Sequence, residues 1–234
     1  MFWDIEISKS IVMAFPPYYD TFIQHTSVIQ EAFIICASWK FSDEPSEKIY
    51  TAAIKAKGKD KPVVETLLKA IKSADILVHH NGDKFDLPFL NFRTAYYGLD
   101  PISNIKTVDT YKVSKQFRFG YNKLDYLTNL FFNKGKMDVA SGITEEITMG
   151  NLKRLDEMIA YNMQDVFILE NLYYKLLPYM KSHPHVGAII GRDRKASCPK
   201  CGSNNYKLNG TRFTAAGIQK QECQCKDCKS YFLI

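Results

Sequence analysis

Two cysteine pairs near the carboxyl end, Cys198-Pro-Lys-Cys201 and Cys225-Lys-Asp-Cys228, constrain this chain more than any other feature. Four thiols in two CxxC pairs, with 23 residues between the pairs, suit one tetrahedral structural zinc ion. The 37 residues from Cys198 to the end are too few to bury a self-sufficient core, so metal binding must supply much of their folding free energy. Cys223 is one thiol more than four-coordinate zinc requires, and the CxxC spacing favours Cys225 over it. Only Cys36 lies outside this segment. Clustered cysteines at such short spacing point to metal binding in a reducing, cytoplasmic compartment.

Charge divides the chain at the same place. Residues 191–234 hold 9 basic and 3 acidic residues, and the whole chain carries a formal net charge of +6, so the remainder is neutral. The expected organisation is a large neutral domain over 1–185, a linker over 186–197 within the stretch SHPHVGAIIGRDRKAS, which carries Pro, Gly and charge but no helical period, and a basic zinc ribbon over 198–234. His183 and His185 are poor zinc ligands beside four better-spaced thiolates. A composition of 46% hydrophobic and 13% aromatic residues excludes disorder and low-complexity repeats. No apolar run approaches the roughly 18 residues needed to span a bilayer, and no secretory leader is recognisable.

In the large segment, FWDIEIS, EAFIICASWKF and KIYTAAIK read as three strands, the last two separated by the polar turn SDEPSE. PVVETLLKAIKSA reads as a helix with Pro62 in its first turn, and DILVHH as a short buried strand. LPFLNFRTAYYG is predicted to be a helix ending at Gly98, IKTVDTYKV a fifth strand, and YNKLDYLTNLFF a further helix. From Asn151 to about Met180 the stripe of Leu152, Leu155, Ile159, Met163, Val166 and Leu169 predicts a long helix. This order gives an α/β fold with a mixed five-stranded sheet: three antiparallel strands, then two reached by helical crossovers.

Asp4 and Glu6 stand two apart in a strand and so share a face, while Ile5 and Ile7 point the other way into packing. Asp86 lies in NGDKFDLPFL just past the end of DILVHH, where α/β sheets present loop residues to ligands; it is also placed to N-cap the helix beginning at Leu87. Tyr161 and Asp165, at i and i+4, are neighbours on one helix face. Asp109 is uncommitted, His79 and His80 read as strand residues, and Asn81 as a turn residue. Phe85 is expected to pack and hold Asp86, and Phe89 and Tyr121 to pack or to stack on bases.

DIE on the first strand, NGxxFDxPFL after the fourth and YxxxD on the late helix resemble, in this order, the three motifs of the DEDD-type 3'→5' exonucleases in their tyrosine version. That superfamily has the ribonuclease-H-like fold and includes the proofreading domains of DNA polymerases; the chain most resembles the stand-alone exonucleases similar to the proofreading domain of family B DNA polymerases. The resemblance covers about residues 2–180 and takes in VDTYKV and NKLDYLTNLFF...GKMD. Two features depart from the pattern: Ile7-Ser8 follows Glu6 where Thr is frequent, and Asp83-Lys84 stands where small residues are common. The resemblance implies a two-metal phosphodiester hydrolysis with Mg²⁺ or Mn²⁺. Asp4 would bridge both ions, Glu6 and Asp165 would complete one site, and Asp86 would support the other through water. Tyr161 would orient the attacking water, since a phenol with a pKa of about 10 is a poor base at neutral pH.

The expected substrate is nucleic acid, with single-stranded DNA or DNA 3' ends favoured and RNA a second candidate; replication or repair proteins are the expected partners. The cysteine-rich segment is similar to zinc ribbons at the N-termini of some bacterial transposases, which bind DNA. Lys207, Arg212, Lys220, Lys226 and Lys229 are then its expected phosphate contacts. The alternative for the ribbon is a protein-docking knob. Two alternatives stand for the whole chain: a catalytically inactive nucleic-acid-binding adaptor on a nuclease fold, and a structure-specific endonuclease or RNase. The presence of all four acids and the tyrosine counts against an inactive site.

Overall fold

The first strand sets the layering of the molecule. In the computed structural model, which describes residues 1–14, 23–133 and 141–234, β1 (Phe2–Ile7) buries Trp3 and Ile5 on one face and turns Asp4 and Glu6 to the other, beside Phe2. The GKMD stretch lies outside the described residues. β1 pairs antiparallel with β4 (Ile34–Lys40), with Asp4 opposite Ser38 and Glu6 opposite Cys36, and β4 pairs antiparallel with β5 (Tyr50–Ala53). β6 (Ile76–His79) runs parallel to β1, and β7 (Lys106–Asp109) parallel to β6, giving the order β5-β4-β1-β6-β7. This is the mixed five-stranded sheet expected from the sequence.

Helices cover both faces. α1 (Lys61–Lys72) buries Val63, Val64, Leu67, Leu68 and Ile71, and with α2 (Asp86–Tyr96) it contributes to the core on the Trp3 and Ile5 side. The N-terminus of α1 is tied to α2 by Asp60, whose buried carboxylate accepts from Arg93 Nε at 2.8 Å and from the backbone N–H of Ile34 at 2.9 Å. On the other face α6 (Leu155–Leu176) lies over β4 and β1, packing Val166, Leu169 and Tyr173 with Phe2 and Val78. Beneath it Lys40 forms a buried ion pair with Glu170 at 2.8 Å, and its Nζ also donates to the carbonyls of Phe41 and Glu44.

Several local features differ from the expectation. IKTVDTYKV is half strand and half helix: Asp109 ends β7 and accepts the Tyr111 N–H at 3.0 Å, capping α3 (Thr110–Ser114). α4 (Leu124–Phe132) follows as expected, but the long helix is preceded by a separate α5 (Ile143–Met149) and ends in a 3₁₀ turn, Leu177–Tyr179, around Pro178. Ile7 does not pack inward; the pairing of β1 shifts register between Glu6 and Ile7, leaving Ile7 exposed. β2 (Ile11–Val12) and β3 (Val28–Gln30) form a small hairpin that is too short to show periodicity in the sequence.

The segment expected to be a linker contains a one-turn helix, α7 (Val186–Ile189), and Val186 donates its N–H to the Pro199 carbonyl at 2.7 Å. Beyond it β8 (Tyr206–Phe213), β9 (Gln219–Cys225) and β10 (Tyr231–Leu233) form an antiparallel sheet in the order β10-β9-β8. Among the described residues no helix is long and apolar enough to cross a membrane.

The Lys40–Glu170 pair allows a stability test. Lys40→Met leaves a buried carboxylate without its counter-charge and should cost about 3–5 kcal/mol in urea unfolding, whereas Lys40→Met with Glu170→Met should recover most of that loss. Losses that simply add in the double variant would show that the two groups do not compensate each other.

Candidate active site

Two elements brought together by the sheet order assemble an acidic cluster. Asp4 and Glu6 project from β1 toward α6, and Asp165 projects from α6 toward them; one carboxylate oxygen from each lies within 4.8 Å of the others. Asn162, fully buried one turn earlier on α6, donates from Nδ2 to Asp4 Oδ2 at 2.7 Å. Sequence reasoning did not single out Asn162. The signal for it is present, because Asn162 and Asp165 are at i and i+3 and therefore share a helix face. Tyr161 is half-buried and packs against the core beside the cluster.

Asp86 reaches the same end of the sheet by another route. It is the first residue of α2, with Phe85 in the N-cap position, so it does not act as the helix N-cap. Burial pushes its carboxyl up to about 6; His79, its own backbone and a hydrogen bond with the Ile5 backbone pull the other way, and Asp109 adds to the rise. The Ile5 contact puts Asp86 against β1 between Asp4 and Glu6, outside the tight group of three acids.

The turn that carries Asp86 is fixed from below. Asn81 adopts a left-handed φ of 67° and donates its N–H to Asp109 Oδ1 at 2.8 Å, and Gly82 donates its N–H to His79 Nδ1 at 3.1 Å. Gly82 lies so close to the imidazole that an added Cβ would stand 2.6 Å from His79 Cγ, so the position demands glycine. His79 Nε2 faces Asp83 Oδ1 at 3.2 Å and His79 Nδ1 faces Asp109 Oδ2 at 3.9 Å. The hydrogen bond to His79 draws the Asp83 carboxyl well below its usual range. The two acids sit at opposite nitrogens of one ring, an arrangement that braces the turn. His80 is held by Thr110 Oγ1 at 2.9 Å and the Asn122 carbonyl at 2.8 Å. Both histidines and Asp109 thus contact the turn or the elements beside it, and His79, Asp83 and Asp109 also bring ligand atoms within 4.8 Å of one another. Phe85 is 57% exposed. Phe89 packs against the core, whereas Tyr121 is exposed.

The chemistry of the cluster suits a hard divalent cation. Three carboxylates within 4.8 Å repel one another, and an oxygen-only donor set matches Mg²⁺ or Mn²⁺. Cys36, opposite Glu6, is the soft donor nearby, but burial and the adjacent carboxylates push its thiol up and keep it protonated.

The four cysteines form a second candidate metal centre. The Sγ atoms of Cys198, Cys201, Cys225 and Cys228 lie within 4.8 Å of one another, with Cys198–Cys228 and Cys201–Cys225 both at 3.6 Å. Tetrahedral zinc with bonds of about 2.3 Å separates its sulfurs by about 3.8 Å, so the set fits. Each CxxC is followed by a left-handed residue, Gly202 at φ 75° and Lys229 at φ 64°. Cys223 is buried opposite Phe232 on β9, outside the four.

The ribbon lies at the opposite end of the sheet from the acids. Lys200 Nζ donates to the Pro178 carbonyl at 2.9 Å beyond the end of α6, and a cleft beside it is lined by Met1, Phe2, Ser73 and Cys201 at the amino ends of β1 and β6. From Asp165 to the end of α6 the helix axis alone runs about 16 Å. Lys207, Arg212, Lys220, Lys226 and Lys229 are all exposed, but Arg212 is paired with Glu222 at 3.0 Å and Lys229 donates to the Lys226 carbonyl. None of the five adjoins the acid cluster in sequence or by a shared element.

The Asp86 shift has a sign that can be measured. A carboxyl raised from 3.8 to about 6 binds its proton more tightly folded than unfolded. The stability it confers is fully present below pH about 4 and is lost as pH rises through about 6, by about 3 kcal/mol at about 1.4 kcal/mol per unit. Without divalent cations, the unfolding free energy should therefore fall over this window, and Asp86→Asn should flatten the fall. An unchanged slope in Asp86→Asn would assign it to another group.

Comparison with known proteins agrees with this architecture. A model of the RNase_H superfamily matches residues 27–177, a stretch that contains Asp86, Tyr161 and Asp165 but begins after Asp4 and Glu6. Among solved structures, the family B DNA polymerase from the hyperthermophilic archaeon Pyrobaculum calidifontis is similar with a TM-score of 0.56 at 18% identity, over 76% of this chain. The chain spans 24% of the length of that polymerase, and the likeness is one of fold. A search of curated proteins finds no match. With more than half of its length matched and the mixed sheet in place, the chain belongs to the RNase_H superfamily.

Proposed function

We propose that this protein is a metal-dependent 3'→5' exonuclease acting on nucleic acid, with DNA the favoured substrate. The observation that carries the reading is the convergence of Asp4, Glu6 and Asp165 within 4.8 Å, with Tyr161 one turn before Asp165 on the same helix. Family membership supports a nucleic-acid hydrolase, and the DIE, NGxxFDxPFL and YxxxD motifs support the exonuclease branch. Asp4, Glu6 and Asp165, with Asp86 alongside, would hold Mg²⁺ or Mn²⁺, which when bound supplies charge neutralisation at the phosphate and a more acidic water.

The chain's own groups define the rest. Asn162 holds Asp4 in one orientation through its 2.7 Å hydrogen bond, so that the carboxylate does not rotate away from its neighbours. Tyr161 orients the attacking water through its hydroxyl. The turn braced by His79 and Asp109 sets the position of Asp86. Cys198, Cys201, Cys225 and Cys228 hold a structural zinc ion, and the exposed lysines of the ribbon give it a secondary, electrostatic hold on the strand.

The test is a time course on 5'-labelled single-stranded DNA, single-stranded RNA and duplex with Mg²⁺, Mn²⁺ or EDTA. A ladder shortening one nucleotide at a time from the 3' end, absent in EDTA, is expected. Asp165→Asn should abolish it while leaving the fold intact. Tyr161→Phe should slow it by about a hundred-fold or less, as expected when an orienting hydroxyl is removed. Internal cuts from the first time point would favour an endonuclease. Binding without cleavage under every metal condition would favour an inactive adaptor.

The ribbon is tested separately. Cys228→Ser should release zinc and reduce the salt dependence of single-strand binding, by a slope of about 0.7 for each phosphate no longer neutralised. An unchanged salt slope would favour the protein-docking role.

A further inference from the structure

The ribbon's lysines lie far from the acids, whereas a different basic and aromatic segment is bonded to the residue that opens the turn carrying Asp86. We propose that the loop before α4, together with the turn after β6, forms the track on which single-stranded nucleic acid lies as its end enters the acid cluster, with Tyr121 as the base-stacking platform; this rests on the nuclease reading of that cluster.

Tyr121 is 66% exposed and stands edge-to-face with Tyr126 at 5.4 Å. The loop is tied to the site by its next residue, since the Asn122 carbonyl accepts from His80 Nε2 at 2.8 Å and His80 opens the turn that carries Asp86. Phe85, immediately before Asp86, is a second exposed ring on that turn. The loop is anchored by inward rings: Phe117 and Phe119 stack at 5.0 Å, and Phe119 meets Phe131 at 5.6 Å. With these rings supplying the packing, the outward exposure of Tyr121 is not needed for the core.

Charge agrees with the rings. From Lys106 to Tyr126 there are five basic residues and two acids, and one of the acids, Asp109, is buried as the α3 cap. Lys115, Arg118 and Lys123 are exposed within six residues of Tyr121 in the chain, Lys115 with its Nζ 4.5 Å from the centre of the Tyr111 ring. Alternating cations and exposed rings match a strand whose phosphates and bases both need partners. A duplex keeps its base faces stacked internally, so the rings select an unpaired strand. No sequence preference is expected, because every base offers a face.

The experiment measures binding of fluorescein-labelled oligothymidine and of a duplex of equal length to the full chain carrying Asp165→Asn, so that the strand survives. Adding Tyr121→Ala should weaken single-strand binding by about 5- to 150-fold, the range for removing one ring from beneath a stacked base. Tyr121→Phe should retain it, and duplex binding should change little. Lys115→Ala with Lys123→Ala should lower the salt slope by about 0.7 for each phosphate they neutralise. Tyr121→Ala binding the single strand as tightly as its parent, or losing duplex affinity equally, would overturn the proposal. If the native chain cleaves nucleic acid and Tyr121 proves irrelevant, only the track falls. If the Tyr121 effect appears but no cleavage is found, the track stands and the exonuclease reading falls.

Discussion

Mutual repulsion among the carboxylates at one end of the sheet is the constraint around which this structure is arranged. Asp4, Glu6 and Asp165 would separate if their backbones allowed it. They are prevented because β1 is the central strand, paired on both sides, and because α6 is pinned across it by Phe2, Val78 and the buried Lys40–Glu170 pair. The fold thus carries an electrostatic cost at a site that a divalent cation can relieve. Asn162 adds direction to that confinement by fixing one oxygen of Asp4.

The second route into the site depends on hydrogen bonds more than on packing. The Asp86 turn would be free to vary if it rested only on exposed Phe85. It rests instead on Asp109, which uses one carboxylate oxygen to accept from the backbone of both Asn81 and Tyr111, and on His79, which meets Gly82 and Asp83. A single acid at the end of β7 therefore couples the start of α3 to the loop that carries a candidate ligand.

Among the described residues three groups could hold a metal ion: His79, Asp83 and Asp109 bracket the Asp86 turn, while the acid cluster and the four cysteines lie toward opposite ends of α6. Its first turns face the acids, and the carbonyl of Pro178 beyond its last turn receives Lys200 from the ribbon. Lys200 lies between Cys198 and Cys201, so its bond to the Pro178 carbonyl links the cysteine-rich segment to the turn that ends the helix supplying Asp165. The acids stand at the carboxyl ends of the strands, and the contact with the cysteine-rich segment lies at their amino ends.

Much of this is legible in the sequence because the relevant signals are local. Alternation over Phe2–Ile7 puts Asp4 and Glu6 on one face, the CxxC spacing singles out four of six cysteines, and helical stripes locate α1 and α6. Where local signals are ambiguous, the sequence misleads. The β-rich TYKV is helix because the Asp109 side chain caps it, and Ile7 is exposed because β1 loses register after Glu6. Tertiary structure alone decides that Asn162 holds Asp4, that Asp86 lies against the Ile5 backbone with its pKa raised to about 6, and that the basic ribbon sits away from the acids. Each of these is a contact between residues far apart in the chain. Residue types and spacing determine which face a side chain occupies, but only the packing of α6 and the ribbon on the sheet determines what that face meets.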